Sequence, residues 1–239
     1  MTVLESTERF TAAARAGGGW KKWLALVLLV VLTGAAVWLV WFSSVLSVQE
    51  VRVLGATGVP VDEVRTAASV RIGTPLARVD ADGVAERVGA IPEVGAVEVR
   101  RGWPDVLVVV VTERTPVGVV RAGPGYAYVD ATGARFGSVR ARPAALPVVR
   151  PSDETSLLAG VQVVDSLPAD LRSRVVAVVA RSRDDVVLSL RGGALVQWGS
   201  AEQAEAKVAV LTALLPLKAS YYDVSAPDLP TTRGTLAGS

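Results

Sequence analysis

The 239-residue sequence predicts an α+β protein on a single-pass membrane anchor, and three patterns carry that reading. An uncharged apolar stretch runs from Trp23 to Leu46. Residues 47–116 then alternate as strand, helix, helix, strand, strand, and residues 117–225 form a β-rich unit with two helices on a mainly antiparallel sheet.

Between Lys22 and Glu50 no residue is ionisable. At about 1.5 Å per residue the apolar stretch reaches roughly 36 Å as a helix, enough to cross a hydrocarbon layer of about 30 Å. Lipid offers the backbone no hydrogen-bond partners, so Gly34 and the β-branched residues are no obstacle to a helix there. Trp20 and Trp23 mark one interface, and Trp38, Trp41 and Phe42 the other. Arg9, Arg15, Lys21 and Lys22 precede the span, which predicts a cytoplasmic tail over residues 1–22 and extracytoplasmic domains after the span. A secretory signal has a shorter apolar region and a small-x-small cleavage site, whereas this stretch ends in bulky aromatics.

Composition narrows the chemistry. Of 25 Lys/Arg and 23 Asp/Glu, the first 22 residues hold four and two, leaving 21 of each sign outside, so the pI of 9.1 reports topology and not a phosphate-binding surface. The chain has no Cys and no His, which removes disulfides, thiolate and imidazole metal sites, and the common nucleophile triads and dyads. Outside the tail the only lysines are Lys207 and Lys218, neither in a nucleophile motif. Neither a cofactor nor catalysis is expected.

Within the first unit, Val48 to Leu54 alternates as a half-buried strand. Pro60 opens a helix with Asp62 and Glu63 in its first turn and Val61, Val64, Ala67 and Ala68 on its apolar face. Asp80 caps a second helix carrying Val84 and Val88, and Pro92 stops it. Val94 to Arg100 is the next strand. Val106 to Val111 is β-branched enough to predict a central strand covered on both faces.

These residues carry a resemblance. A strand leaving the membrane, GTPL at 73–76, IPEV at 91–94, and the run from Arg101 through Trp103, Pro104, Glu113, Arg114 and Pro116 resemble the POTRA domain of the bacterial FtsQ/DivIB cell-division family. Elementary physics assigns Pro104 to the turn and Pro116 to the end of the ladder. Ala, Val and Arg richness is similar to that of high-GC actinobacteria.

The second unit continues the resemblance. Tyr126 to Phe136 reads as a hairpin around a D-x-x-G turn, Leu146-Pro147-Val148 as a strand entry, and Asp153 to Ser166 as a helix using Leu157, Leu158, Val161 and Val164. Val175 to Ala180, Val186 to Leu190 and Leu195 to Trp198 form a meander. Ser200 to Gln203 has the form of a capping box, and Ala204, Val208, Leu211 and Leu215 line the helix that follows. A last strand runs from Ser220 to Ser225, and residues 226–239 have the composition of a disordered tail.

The resemblance implies a non-catalytic divisome scaffold that binds FtsB (DivIC) and FtsL type coiled-coil partners and, through them, acts on septal peptidoglycan synthesis by FtsW and FtsI. Strand addition at an open sheet edge suits such binding, and Tyr221, Tyr222, Asp223, Val224 and Ser225 are the candidate edge. Arg183 stands where the resemblance implies a basic residue facing an acidic partner segment. Pro227 and Pro230 shorten this surface or move it to the helix from Ala201 to Leu215. Two rivals are a POTRA-type secretion or assembly module, which expects repeated units or a barrel, and a cell-wall hydrolase pairing Glu113 with Asp130.

Overall fold

The computed structural model describes residues 19–42 and 46–235. Residues 1–18 of the predicted tail, 43–45 of the predicted span and 236–239 of the predicted disordered end lie outside the described residues.

Helix α1 is Gly19–Phe42, one turn nearer the N-terminus than the apolar boundary suggested, so Lys21 and Lys22 sit on the helix and not before it. Their long stems can lie along the apolar rod while the ammonium groups reach water. The window Trp20–Leu39 has a mean hydropathy of 2.1, and its large side chains stay exposed, with Leu24, Leu28 and Val30 each more than half accessible. In water such a surface is costly, and lipid covers it without cost.

The first unit follows the predicted order. Strand β1 (Glu50–Leu54), helices α2 (Val61–Ala68) and α3 (Ala81–Gly89), and strands β2 (Val94–Gly102) and β3 (Val106–Glu113) make a three-stranded sheet in the order β1-β3-β2. The parallel β1–β3 pair sets Val51 opposite Leu107 and Val53 opposite Val109. Pro60 is the N-cap of α2, so the helix starts one position later than expected, and the Asp80 carboxylate accepts from Gly83 N at 3.0 Å to cap α3. Val64, Ala68, Val84 and Val88 pack against Leu107, Val109 and Val111.

The reading of β3 as covered on both faces is corrected. Its alternate residues Val106, Val108 and Val110 are only half-buried, on a face flanked by the exposed pairs Arg52–Glu50 at 3.1 Å and Arg100–Glu98 at 2.6 Å. A run of valines marks a central strand, but whether a second layer exists depends on where the helices fall, and both fall on one side.

The second unit is a nine-stranded sheet ordered β12-β11-β10-β9-β8-β7-β4-β5-β6. Its early strands are β4 (Gly118–Ala122), β5 (Gly125–Val129), β6 (Arg135–Val139) and β7 (Val148–Pro151). Next come α4 (Glu154–Ser166), α5 (Ala169–Arg174), β8 (Val175–Ser182), β9 (Asp185–Leu190) and β10 (Leu195–Gly199). The chain ends with α6 (Ala204–Leu214), β11 (Tyr221–Asp223) and β12 (Thr231–Arg233).

Three helices therefore accompany the sheet, where two were expected. The short α5 has only Leu171 buried, too little apolar period to show in sequence. Helix α4 lies across β7 and β8. A Cβ at Gly160 would meet Val149 Cγ1 at 3.2 Å and Ala180 Cβ at 3.3 Å, so the close approach needs a residue without one. Asp153 and Ser156 exchange a capping box at its start, with Ser156 N donating to Asp153 Oδ1 at 2.7 Å. Leu157, Val161 and Val164 are buried with Trp198 and Leu188, but Leu158 is 38% exposed, against expectation.

Ser200 to Gln203 forms no capping box: the N-cap of α6 is Gln203 in a left-handed conformation without a side-chain cap, and Ser200 Oγ accepts from Glu202 N at 3.3 Å. The motif's spacing was right, but α6 starts too late to use it.

Candidate partner-binding site

After α6, a single turn at Leu215–Leu217 with Pro216 ends the helix, and β11 returns parallel to β10, pairing Leu195 with Tyr221, Val196 with Tyr222 and Gln197 with Asp223. Alternation then divides the candidate residues between two environments. Tyr222 and Val224 point into the core, at 1% and 0% exposure. The Tyr222 hydroxyl accepts from Ala219 N at 2.9 Å and donates to Leu215 O at 3.4 Å, so its polar end is already matched. Tyr221 and Asp223 are half-buried on the other side, and Ser225 is exposed. Asp223 Oδ1 accepts from Ser225 N at 3.0 Å and Ser225 Oγ at 2.7 Å.

The expected edge position of Tyr221–Ser225 is also corrected. Pro227 and Pro230 do interrupt the ladder, but the loop between them turns back, with Leu229 N donating to Ala226 O at 3.0 Å. Thr231–Arg233 then adds to β11 as antiparallel β12, pairing Tyr222 with Thr232. A proline just before an edge strand leaves no ladder position unfilled. Part of the predicted disordered end is thus a strand. The outermost strand is β12, exposed at all three residues. Arg233 lies over the Tyr221 ring at 5.9 Å and its carbonyl accepts from Ser220 Oγ at 3.0 Å, tying the strand down.

Arg183 sits in the β8–β9 turn, exposed, with its Nε 3.6 Å from Asp184 Oδ1. It lines a groove of about 350 Å³ with Leu158 and Gln162 of α4 and Ser200 to Glu202. The end of β10 brings this turn toward β11: a Cβ on Gly199 would meet Ser225 Cβ at 2.9 Å and Asp184 O at 3.7 Å. Arg183 and Ser225 therefore share one end of the sheet, while Tyr222 and Val224 belong to the core.

Lys207, unremarked in sequence beyond its rarity, is 1% exposed on α6, with its ammonium donating to Ser200 O at 2.9 Å. Burial lowers its pKa, with Glu202 acting in the opposite sense. Its i+4 relation to Leu211 was the available signal, masked by the polar head.

The Glu113–Asp130 pair of the hydrolase reading is spent on structure. Glu113 accepts from Val59 N at 2.9 Å, from Gly58 N and Thr57 N at 2.7 Å, and from Thr57 Oγ1 at 2.9 Å, which holds its pKa at about 2. Asp130 is buried in the β5–β6 turn. Burial works to raise its pKa, but the Thr132 hydroxyl, Arg114 and the Ala134 and Thr132 amides outweigh it and leave the value lowered. Both carboxylates are fixed as anions facing their own donors, and neither is poised as a proton donor.

Arg114 crosses between the two units. Its Nη1 meets Asp130 Oδ2 at 2.7 Å and its Nε donates to Pro92 O at 3.0 Å. The E-R-x-P motif is thus two fasteners in succession, Glu113 within the first unit and Arg114 onto the second.

A family model described as POTRA domain, FtsQ-type, matches residues 46–114, and one described as Cell division protein FtsQ/DivIB, C-terminal, matches residues 118–229. Cell division protein FtsQ of Mycolicibacterium smegmatis is 38% identical over 216 residues, covering 88% of this chain and 64% of that protein, so the chain spans just under two thirds of that relative. The FtsQ of Streptomyces collinus is 36% identical over 226 residues, covering 87% of this chain and 86% of that one. That of Mycobacterium tuberculosis is 35% identical over 236 residues, covering 97% and 74%. All three sources are actinobacteria. With both units matched in order and relatives aligned along most of its length, the chain belongs to the FtsQ/DivIB family of bacterial cell-division proteins.

Proposed function

We propose that the chain is a non-catalytic scaffold of the division machinery, anchored by α1 with its N-terminus cytoplasmic and both folded units outside the membrane at the septum. It binds FtsB/DivIC-like and FtsL-like partners, and through them links FtsW and FtsI to division. The observation that carries the reading is β12, a short, exposed strand whose outer side pairs with none of the described strands and suits addition of a partner strand. Arg183 supports it: a guanidinium at the same end of the sheet as Ser225, beside a groove, suits an acidic segment continuing past the added strand.

The test places photo-crosslinkers singly at Thr231, Arg233 and Arg183, and at Ser138 on the opposite edge strand β6, in the full-length chain co-expressed with the two coiled-coil proteins. Adducts from the first three and not from Ser138 are expected, and Arg183→Glu should weaken capture. Adducts from Ser138 alone, or normal septation after depletion of the chain, would overturn the proposal.

A further inference from the structure

The membrane helix and the first unit meet at one end of the small sheet, and that end has a distinctive surface. Only residues 43–45 separate α1 from Leu46, a reach of roughly 14 Å even when extended. From there Val48 N donates to Thr74 O at 2.9 Å, Gly73 N donates to Val48 O at 2.8 Å, and Gln49 N donates to Asp105 O at 2.8 Å. The loop 69–75 and the β2–β3 turn are therefore both held beside the first residues to leave the membrane. Helix α1 itself lies against the single turn at Leu76–Arg78.

What these segments present is apolar tips among arginines. Ile72 is 60% exposed and Trp103 52% exposed, neither needed by the core. Arg71, Arg78 and Arg87 line a cleft of about 220 Å³ beside Ile72, and the one carboxylate there, Asp80, is engaged as the α3 cap. Arg87 also donates to Ala68 O at 2.8 Å, which fixes its stem on the cleft wall. Ile72 follows Arg71 in the loop bonded to Val48, and Trp103 lies in the turn bonded to Gln49, so both exposed side chains belong to segments tied to the start of the first unit. A headgroup layer suits each kind of group: indole at the interface, isoleucine at the acyl boundary, guanidinium on phosphate.

We propose that the membrane-proximal end of the first unit docks on anionic phospholipid headgroups, with Ile72 and Trp103 seated in the interface and Arg71, Arg78 and Arg87 on phosphate. The inference rests on α1 being the membrane anchor and is independent of which partners the second unit binds. Docking restricts how the unit tilts on its tether, and so sets the height at which the second unit is presented.

The native chain lacks cysteine, which makes the test direct. A fluorophore on Ile72→Cys in the full-length chain is reconstituted in bilayers bearing a lipid-attached quencher, with a label on Leu229→Cys, a residue 81% exposed in the loop before β12, as reference. Quenching at position 72 should exceed that at 229, be stronger in phosphatidylglycerol than in phosphatidylcholine, and fall about fivefold with Arg71→Gln, the change expected for one basic side chain at an acidic surface. Added salt should weaken it. Equal water accessibility of the two labels, equal quenching in both lipids, or full displacement by millimolar inorganic phosphate would overturn the proposal. Release of the chain from membranes by an alkaline wash would overturn the anchor beneath it, whatever the crosslinking of the second unit shows.

Discussion

Replacing Arg114 by Met keeps the aliphatic stem and removes the guanidinium that spans the two units. Two hydrogen bonds are lost, one charge-assisted to Asp130 at 2.7 Å and one to Pro92 O at 3.0 Å. The side chains of the pair are 22% and 10% exposed, so water screens it only partly. A charge-assisted bond contributes about 1.5–3 kcal/mol, and stripping one partner from a fully buried pair costs about 3–5 kcal/mol. Asp130 keeps the Thr132 amide and hydroxyl and the Ala134 amide, so the loss falls near the lower figure, about 2 kcal/mol. That corresponds to about a thirtyfold loss of amide protection where the units join, at Arg114 N, which donates to Glu93 O, and Val117 N, which donates to Val129 O. Hydrogen exchange on Arg114→Met, Asp130→Asn and the double variant forms a cycle, with an expected coupling of about 1.5 kcal/mol. Because the Asp130 pKa is lowered, this stabilisation is present above its ordinary value of 3.8 and is lost as pH falls through the folded value. Single variants that simply add, within about 0.5 kcal/mol, would refute the idea that this pair joins the units.

Glu113 supplies a second, pH-resolved outcome. With a folded pKa of about 2 against 4.5 when free, its stabilising contribution is complete above 4.5 and disappears as pH falls toward 2, so urea midpoints of the parent should drop more steeply across that window than those of Glu113→Gln. Parallel curves would show that the Thr57–Val59 cradle does not hold the carboxylate. Tyr222 tests the reassignment of a candidate contact to the core: Tyr222→Phe should cost about 1–2 kcal/mol for the orphaned Ala219 amide, and Tyr222→Ala about 3–5 kcal/mol. Full stability of Tyr222→Ala with loss only of partner capture would restore Tyr222 to the binding surface.

Local signals in the chain were sufficient wherever the determining interaction lies within a few residues. The charge-free rod, Asp80 three residues before its amide partner and the D-x-x-G turn at Asp130 each encode their structure by short-range geometry. The E-R-x-P motif was legible as a motif, but its two roles were not, because the amides that donate to Glu113 lie 54 to 56 residues upstream and the Asp130 carboxylate that accepts from Arg114 lies 16 residues downstream.

The second unit shows the same division at its C-terminal end. Alternation in Ser220 to Ser225 announces a strand, yet period two cannot say which face meets the core, and so Tyr222 and Val224 read as accessible until pairing with β10 turned them inward. Whether that strand is an edge depends on what lies beside it. Three residues after Pro230, too short to signal by pattern, close over it. By itself the sequence determined the apolar rod, the order of elements in the first unit and the family. The folded chain decided which strand is last, which valines stay open and which arginines gather around one cleft, because burial and pairing are set by residues far apart along the chain.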